Sequence, residues 1–291
     1  GRQPRHGRQR HLPGWSHVSA TGQGRRAWAG SPSYPGEMAV LDVLSPRTGR
    51  RHAHRTKPPT LVHLERATKL APSGTVAFAD LSLRIHAGQR WVVFSQERGA
   101  RSALLQCVAG LQQPERGSVT IRGHVSWPLG QLPGLSGRLS CAENSRFMLG
   151  IYGQRGHLEE ELALVQELMG ICREQWCGPF SKQSGAIKSS LKLALTLACD
   201  FDLYVINDTP LLAFRQGPRW TEPWQTLLER RLQTRAVLSS GVQPLVGLEA
   251  GSKGLVLEEG KLVIKGALAE CQAYLEAQRG IGVGKRKKAR T

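Results

Sequence analysis

The stretch FSQERGARSALLQCVAG, residues 94–110, decides the fold of this 291-residue chain. It follows an apolar run at residues 91–94 and leads into apolar positions with helical spacing at residues 104–108. A phosphate-binding loop has the same frame, in which a glycine, four residues and then Gly-Lys-Ser/Thr lie between a strand and a helix. Here the frame reads Ser95, four residues, then Ala100-Arg101-Ser102. The stretch therefore predicts a strand, a tight loop and a helix, with altered phosphate-binding residues.

The charge of the chain is concentrated at its two ends. Of the formal net charge of +18, residues 1–60 carry +9 and residues 279–291 carry +6, so the middle is nearly neutral. The first segment is rich in Gly, Pro, Arg and His and cannot bury enough apolar surface to offset its ordering entropy. We predict a disordered basic leader at 1–60, a globular domain at 61–278 and a basic tail at 279–291. Met38 could be a natural start, with an Arg-rich transit peptide as the alternative.

The cysteines and the apolar runs limit the class of protein. The six cysteines are scattered, and only Cys172 and Cys177 lie close together, so no zinc-binding set is formed. Most of the others lie in apolar runs, which predicts reduced core residues in a cytosolic protein. No run approaches the ~18 apolar residues of a membrane span.

Strand patterns alternate with helix patterns along the predicted domain. Strands are predicted at 61–70, 75–88, 88–94, twice within 117–127, at 201–208, at 234–240 and in a hairpin at 254–266 that turns at Glu259-Gly260. Helices are predicted after the loop, at 158–171, at 189–199 and at 267–278. This alternation predicts a layered α/β fold with a mainly parallel central sheet, preceded by a β-rich N-terminal part.

The order and spacing of these features resemble the nucleotide-binding subunit of an ABC transporter, over about residues 61–276. Within that family the chain looks most like the ATPase of capsular polysaccharide exporters, because of residues 123–153. That subfamily has a Ser-Trp-Pro, glycines, a Glu-Asn and a Tyr-Gly in one order, here Ser126-Trp127-Pro128, Gly130, Gly134, Gly137, Glu143-Asn144 and Tyr152-Gly153. The resemblance implies a P-loop NTPase fold of the ABC type, with an antiparallel N-terminal part and a helical subdomain.

The resemblance places phosphate binding at Ser95, Gly99, Ala100, Arg101, Ser102 and Ala103. Small residues let backbone N–H groups surround phosphates at a helix N-terminus. Arg98 is a poor substitute for a family glycine, since the backbone must approach the ligand closely there. Arg101 keeps a positive charge in a broader group than lysine, and the Ser102 hydroxyl can still meet Mg²⁺. Weak or altered nucleotide binding and no binding both remain open.

The strand that ends in Asp-Glu in the family ends here in Asn207-Asp208. Asn207, which with Ser102 would hold Mg²⁺, keeps its hydrogen bonding but lacks the charge that favours a hard dication. Asp208, at the catalytic position, is one methylene shorter than the family glutamate. A misplacement of ~1 Å can cost about 100-fold in rate, so the pair predicts impaired hydrolysis. A polar cap on a buried strand end is the alternative.

Other family positions have changed as well. The signature motif reads Ser184-Gly185-Ala186-Ile187, in which only Ser184 and Gly185 match and would grip the nucleotide of a partner subunit. Ser184 could equally be the N-cap of the next helix. Ser240 stands at the place of the switch histidine, Ser136 at that of a glutamine, and Leu70 near that of the aromatic that stacks on adenine.

The resemblance implies an ATPase subunit of an ABC transporter for polysaccharide export, with ATP and Mg²⁺ as ligands and weak or lost hydrolysis. Its expected partners are membrane permeases and a second nucleotide-binding subunit, at the cytoplasmic face of the inner membrane. A non-catalytic pseudo-ATPase scaffold that binds no nucleotide is the alternative. A third hypothesis is nucleic-acid binding through basic ends such as KRKKAR at 285–290. Terminal charge runs are commonly solvated tails or touch anionic lipid, so nucleic acid is not the expected partner.

Overall fold

The computed structural model of the protein describes residues 58–71, 73–207, 211, 214–215, 217, 219–241 and 251–288. The predicted leader lies outside these residues apart from 58–60, and Asp208 and residues 289–291 also lie outside.

Three strands near the start of the described chain form an antiparallel sheet. They are β1 (Thr60–Leu70), β2 (Val76–His86) and β4 (Arg116–Ile121), in the order β2-β1-β4. In β2, Leu83 and Ile85 are buried while Arg84 between them is exposed. This period of two buries one face of the sheet and leaves the other to solvent.

Five strands form the central sheet in the order β5-β6-β3-β7-β8. They are β3 (Arg90–Phe94), β5 (Leu203–Asn207), β6 (Ala236–Ser240), β7 (Lys253–Glu258) and β8 (Lys261–Ala267). The first four strands in this order run parallel, and β8 pairs antiparallel with β7 at the edge. The predicted α/β architecture with a mainly parallel central sheet and an antiparallel N-terminal part is confirmed.

The predicted hairpin joins β7 to β8 through Glu259 and Gly260. Both residues have positive φ angles, 49° and 75°. A two-residue turn of this kind matches the right-handed twist of the strands that it joins. The position of the hairpin is therefore confirmed.

Seven α-helices have both ends among the described residues. They are α1 (Arg98–Val108), α2 (Cys141–Tyr152), α3 (Leu158–Met169), α4 (Arg173–Cys177), α5 (Gly185–Ala198), α6 (Glu222–Thr234) and α7 (Leu268–Lys288), with a 3₁₀ turn at Phe180–Lys182. The last helix continues beyond its predicted end at Gln278. Within the described ranges no helix is both long enough and apolar enough to cross a membrane.

The central sheet separates two hydrophobic cores. In β5, Leu203 and Val205 face a core that also holds α1 and the antiparallel sheet. Tyr204 and Ile206, which alternate with them, face a second core built by α2, α3, α5 and α6. All four side chains are fully buried. A strand covered on both faces in this way reads as a continuous apolar run, as in a parallel sheet.

The prediction of two strands within residues 117–127 is wrong in part. Only β4 is a strand there, while Val125 makes an isolated parallel bridge to Leu203 of β5. The chain leaves the antiparallel sheet at Arg122 and is then held by β5. His124 makes two hydrogen bonds to Asp202, the residue before β5. Its N–H donates to the Asp202 carboxylate at 3.0 Å, and its carbonyl accepts from the Asp202 N–H at 2.8 Å.

Helices α2, α4 and α6 were not predicted from the sequence, although the start of α2 carries a local signal. Ser140 is the N-cap, and its hydroxyl accepts a hydrogen bond from the Glu143 N–H at 3.1 Å. The Glu143 carboxylate in turn accepts from the Ser140 N–H at 2.8 Å. This reciprocal pair is a capping box, whose Ser-x-x-Glu spacing is visible in the sequence.

Gly117 lets β4 approach an irregular segment of β1. The pairing of β1 with β4 shifts register between Glu65 and Thr68, and Arg66 within that shift has a φ of 47°. Gly117 itself has a φ of 76°, and a Cβ atom added there would overlap the carbonyl oxygens of Glu65 and Arg66.

We expect Gly117→Ala to lower the free energy of unfolding by ~3 kcal/mol or more, since a methyl group would collide with backbone. The matched control is Gly74→Ala, where φ is also positive at 81° but nothing lies within 4 Å of the added Cβ. That variant should lose only ~1 kcal/mol, the cost of the backbone conformation. Urea unfolding monitored by circular dichroism measures both, and equal losses would show that the overlap is relieved.

The predicted buried state of the cysteines holds for four of the six. Cys107, Cys141, Cys199 and Cys271 are buried, whereas Cys172 and Cys177, at the two ends of α4, are exposed. All six are free thiols. Burial raises the pKa of Cys107 to about 11 and that of Cys199 to about 12. The buried thiols are therefore protonated at neutral pH and unreactive as nucleophiles.

A disulfide exchange reagent at about pH 8, near the ordinary thiol pKa, should modify Cys172 and Cys177 rapidly. The four buried thiols should react only after denaturant is added. In the double variant Cys172→Ser/Cys177→Ser the fast absorbance phase should disappear. A fast phase that persists in this variant would mean that a buried thiol is accessible.

Candidate functional site

The loop between β3 and α1 has the strand–loop–helix geometry of a phosphate cradle. The strand ends at Phe94 and the helix begins at Arg98. Glu97 is the N-cap and makes no side-chain cap hydrogen bond. The first N–H groups of a helix lack intrahelical partners and favour an anion. The Arg98 side chain is exposed to solvent and is not buried over the backbone of this first turn.

Two charged side chains change the cradle. The Arg101 guanidinium donates a hydrogen bond to the Ser95 carbonyl oxygen of the same loop. This contact draws the cation back across the loop. Glu97, which the sequence analysis did not weigh, places a carboxylate directly before the helix, where the Glu97 N–H donates to the Ser95 hydroxyl at 3.2 Å. A carboxylate at this end is favourable for the helix but repels a phosphate.

Ser102 and Ala103 occupy different environments in the first turns of α1. The Ser102 hydroxyl is half-buried and accepts a hydrogen bond from the Gln106 side chain at 3.4 Å. Ala103 is buried in the core beneath the helix. Ser102 thus offers an oxygen that could meet a cation, while Ala103 contributes to packing.

A cavity of ≈ 540 Å³ lies beside this first turn. Glu97, Gly99 and Ala100 line it from the loop, and Thr75 and Glu259 line it from the neighbouring strand ends. Among the described residues that line it none is aromatic, and two are carboxylates. Leu70, expected near the place of an adenine-stacking ring, is partly exposed at the end of β1 and does not line the cavity.

The parallel sheet brings Asn207 and Ser240 to the edge that carries the loop. These residues are the last of β5 and β6 and are paired with each other. Ser240 is also paired with Val93 of β3, which lies two residues before Ser95. The carboxyl ends of parallel strands are the usual place of a ligand in such sheets. Asp208, the residue that follows Asn207, lies outside the described residues.

Ser184 and Gly185 lie in a separate part of the molecule. Ser184 is the N-cap of α5, and its hydroxyl accepts from the Ile187 N–H at 3.3 Å. Helix α5 packs in the helical core, whereas α1 packs in the core of the two sheets. Ser184 and Gly185 are exposed, and an added Cβ at Gly185 would meet nothing within 4 Å. The structure therefore presents them on the surface and does not bring them to the loop of the same chain.

The Ser-Trp-Pro segment has a structural role. The Ser126 hydroxyl accepts from the Val205 N–H at 2.9 Å, and the Trp127 indole N–H donates to the Thr196 hydroxyl at 2.7 Å. Both side chains are buried. They anchor the segment to β5 and α5. The sequence motif alone could not distinguish this structural role from a ligand-binding role.

The buried Asn144 side chain organises the segment around Ser136. Its Oδ1 accepts from the Ser136 N–H at 2.8 Å, and its Nδ2 donates to the Ser136 carbonyl at 2.9 Å. The same amide group donates to the Ser140 carbonyl at 2.9 Å. These bonds hold the loop before α2 in one conformation, although Ser136 lacks the reach of a glutamine.

The backbone geometry of the loop fits a nucleotide with Mg²⁺, whereas the charges of the surrounding side chains fit it poorly. A helix begins where a phosphate would bind, and Ser102 and Asn207 supply oxygens suited to Mg²⁺. Against this, Asn207 is uncharged, and Glu97 and Glu259 add negative charge beside the loop. The backbone of the arrangement can accept a phosphate group, but the nearby carboxylates repel it and the uncharged Asn207 would hold Mg²⁺ more weakly than an aspartate.

Comparison with known proteins finds relatives by sequence, although no family model matches the chain. The polysialic acid transport ATP-binding protein KpsT of Escherichia coli is 26% identical over 151 residues, which cover 51% of this chain and 67% of KpsT. The capsule polysaccharide export ATP-binding protein CtrD of Neisseria meningitidis is 26% identical over 129 residues, which cover 44% of this chain and 58% of CtrD.

Solved structures share the fold at low sequence identity. An ATP-binding subunit of an ABC transporter superposes with a TM-score of 0.59 at 17% identity, over 75% of this chain and 94% of the other. A dimeric ATP-binding cassette in a post-hydrolysis state, bound to ADP and phosphate, gives a TM-score of 0.56 at 17% identity, over 72% and 99%. The chain therefore has the fold of an ABC-type ATP-binding subunit, and its sequence resembles the ATP-binding proteins of capsule polysaccharide exporters.

Proposed function

We propose that this chain is the ATP-binding subunit of an ABC transporter that exports a capsular or cell-surface polysaccharide, with weak or lost ATP hydrolysis. The observation that carries the proposal is the joint position of the loop, Asn207 and Ser240 at one edge of the parallel sheet. The likeness to KpsT and CtrD supports the transport class.

In this proposal the loop from Ser95 to Ala103 binds the phosphates through its backbone, aided by Arg101. Ser102 and Asn207 hold Mg²⁺, which supplies electrostatic stabilisation of the phosphate oxygens when bound. Asp208 orients the attacking water. Each substitution weakens one of these tasks: Arg101 is broader than lysine, Asn207 is uncharged, and Asp208 is short. Their combined effect is slow hydrolysis rather than loss of the fold.

The exposed Ser184-Gly185 pair supports a partner role. Because these residues lie outside the core that holds the loop, they are available to a nucleotide held by a second subunit. The partners in this proposal are that subunit and the membrane permeases. The chain would sit as a peripheral protein at the cytoplasmic face of the inner membrane.

A pseudo-ATPase scaffold is the second candidate, and two contacts favour it. Arg101 is bonded to the Ser95 carbonyl, which engages part of its guanidinium within the loop, and the Glu97 carboxylate at the N-cap repels a triphosphate. Calorimetry with Mg-ATP separates the two functions. Saturable binding supports the transporter subunit, and no binding up to millimolar concentration supports the scaffold.

Restoration of the family residues should increase ATP turnover. We expect the triple variant Arg101→Lys/Asn207→Asp/Asp208→Glu to hydrolyse ATP at least ~100-fold faster than the native chain. Asn207→Asp restores the charge that would hold Mg²⁺, Asp208→Glu restores the reach toward the attacking water, and Arg101→Lys restores the narrower cation. Phosphate release measures the rate. The control adds Ser102→Ala to the triple variant and should remove the gain. Comparable turnover by native and restored chains would show that the native substitutions are harmless.

Gly185→Arg tests the partner role. The added side chain enters open space, so the melting temperature should stay within ~2 °C of the unsubstituted protein. In the restored background it should reduce ATP-dependent dimerisation about tenfold, since a bulky side chain would occupy the place of the partner's nucleotide. Sedimentation velocity with and without Mg-ATP gives the dimer fraction. Full dimerisation of the Arg variant would exclude Gly185 from the interface.

A further inference from the structure

A basic groove lies where the antiparallel sheet meets the central sheet, and no step of the proposed function uses it. We define this groove by His63, Arg66, Arg84, Trp91, Lys253 and Lys265, which line a volume of ≈ 470 Å³. Five strands contribute these residues: β1, β2, β3, β7 and β8. Side chains on hydrogen-bonded strands keep their spacing, so the groove is preorganised.

The groove lies apart from the phosphate loop. Trp91 and Lys253 lie at the amino ends of β3 and β7, and their register pairs them with each other. Lys265 lies near the end of β8, which runs antiparallel to β7 and so returns to the same edge. The loop follows the opposite, carboxyl end of β3. None of residues 95–103 lines the groove.

The positive charge of the groove is poorly neutralised by the protein. Among the described residues that line it, four are Lys or Arg and one, Glu65, carries a carboxylate. Within the described part of the chain, no carboxylate lies within ion-pair distance of Arg84, Lys253 or Lys265. Arg66 pairs with Asp80 at 3.1 Å, but both side chains are more than 70% exposed, and such pairs contribute little. The cluster thus leaves capacity for an external anion.

Three of the four cations of the groove contact groups that are not carboxylates. The Arg84 Nε donates to His63 Nε2 at 3.0 Å. Lys265 donates to the Ser82 carbonyl at 3.1 Å, and the Lys253 ammonium lies 5.4 Å from the centre of the Trp91 ring. Each cation has further N–H donors after these contacts. They can converge on a ligand without rearrangement of the strands.

We propose that the basic groove binds a phosphate-bearing anion at a site separate from the phosphate loop. Like charges held together by the fold repel one another, and a multivalent anion relieves that repulsion. Arg66 and Arg84 offer forked donors that match phosphate oxygens, while Lys253 and Lys265 act as point charges. Trp91 and Leu83 supply an apolar floor. The size of the groove fits a small ligand or a single headgroup.

The test is calorimetric titration of the full chain with inorganic pyrophosphate. We expect saturable binding, weakened about tenfold or more in Lys253→Gln/Lys265→Gln, since two charge-assisted contacts are lost. The matched control, Lys182→Gln/Lys261→Gln, removes the same charge from exposed lysines that do not line the groove. Its affinity should stay within ~2-fold of the native value. If both variants weaken pyrophosphate binding equally, the loss comes from the lower net charge of the protein and not from the groove, and the proposal is overturned.

Two further experiments determine where pyrophosphate binds and which molecule supplies the phosphate. The variant Arg101→Ala alters the phosphate loop and leaves the groove unchanged. If this variant loses pyrophosphate binding while Lys253→Gln/Lys265→Gln binds fully, the probe binds at the loop. That result would overturn the proposal. Failure of Mg-ATP binding with intact pyrophosphate binding would reject the proposed function and leave the groove. Sedimentation with phosphatidylglycerol vesicles, against phosphatidylcholine vesicles, tests a lipid headgroup as the source. Vesicle binding that depends on Lys253 and Lys265 would assign the phosphate to lipid.

Discussion

The parallel pairing of β3 with β6 and β7 is the constraint on which the rest of the structure depends. Val93 of β3 is buried in the core that holds the antiparallel sheet, and Val92 is buried in a third, smaller core that includes Leu268 of α7. Burial of each such side chain stabilises the fold by about 1.5–3 kcal/mol. Because parallel strands end at one edge, this pairing places Ser95, Asn207 and Ser240 together although they are distant in the chain. Loss of the pairing would remove the candidate site and the groove together.

The loop shows that backbone geometry and side-chain chemistry can separate. The strand and helix that form an anion cradle are intact, because their apolar residues are fixed by packing in the core. The polar residues of the loop are not under that constraint. Glu97 and Arg101 have introduced a carboxylate and an internal hydrogen bond without disturbing either element. The backbone of the loop is therefore set by packing, and not by the polar residues that occupy it.

The two edges of the central sheet differ in charge. At the carboxyl edge, Glu97 and Glu259 line the cavity beside the loop. At the amino edge, Lys253 and Lys265 line the basic groove, in which Glu65 is the one carboxylate among the described lining residues. A nearly neutral domain thus carries a strongly polarised surface, and local fields rather than net charge govern which anions it attracts.

The sequence predicted most strands and helices because their signals are local. Period-two alternation marks β2, a continuous apolar run marks β5, and the turn at Glu259-Gly260 marks the hairpin. The resemblance to ABC-type subunits rested on order and spacing, and the fold agrees with it. The failures had physical reasons. The segment at Val125 pairs with β5 through a single bridge, which depends on a distant strand. Helices α2, α4 and α6 were missed, although the capping box of α2 was visible.

What the sequence determined by itself was the layered architecture, the loop frame and the residues that occupy it, since hydrophobic periodicity and turn chemistry act over a few neighbours. Only the tertiary structure decided how those residues are used. It showed that Ser126 and Trp127 bond to β5 and α5, and that Arg101 bonds to its own loop. It also gathered Arg84, Lys253 and Lys265 from three strands into one groove. Contacts of this kind join residues far apart in the chain, and no local pattern encodes them.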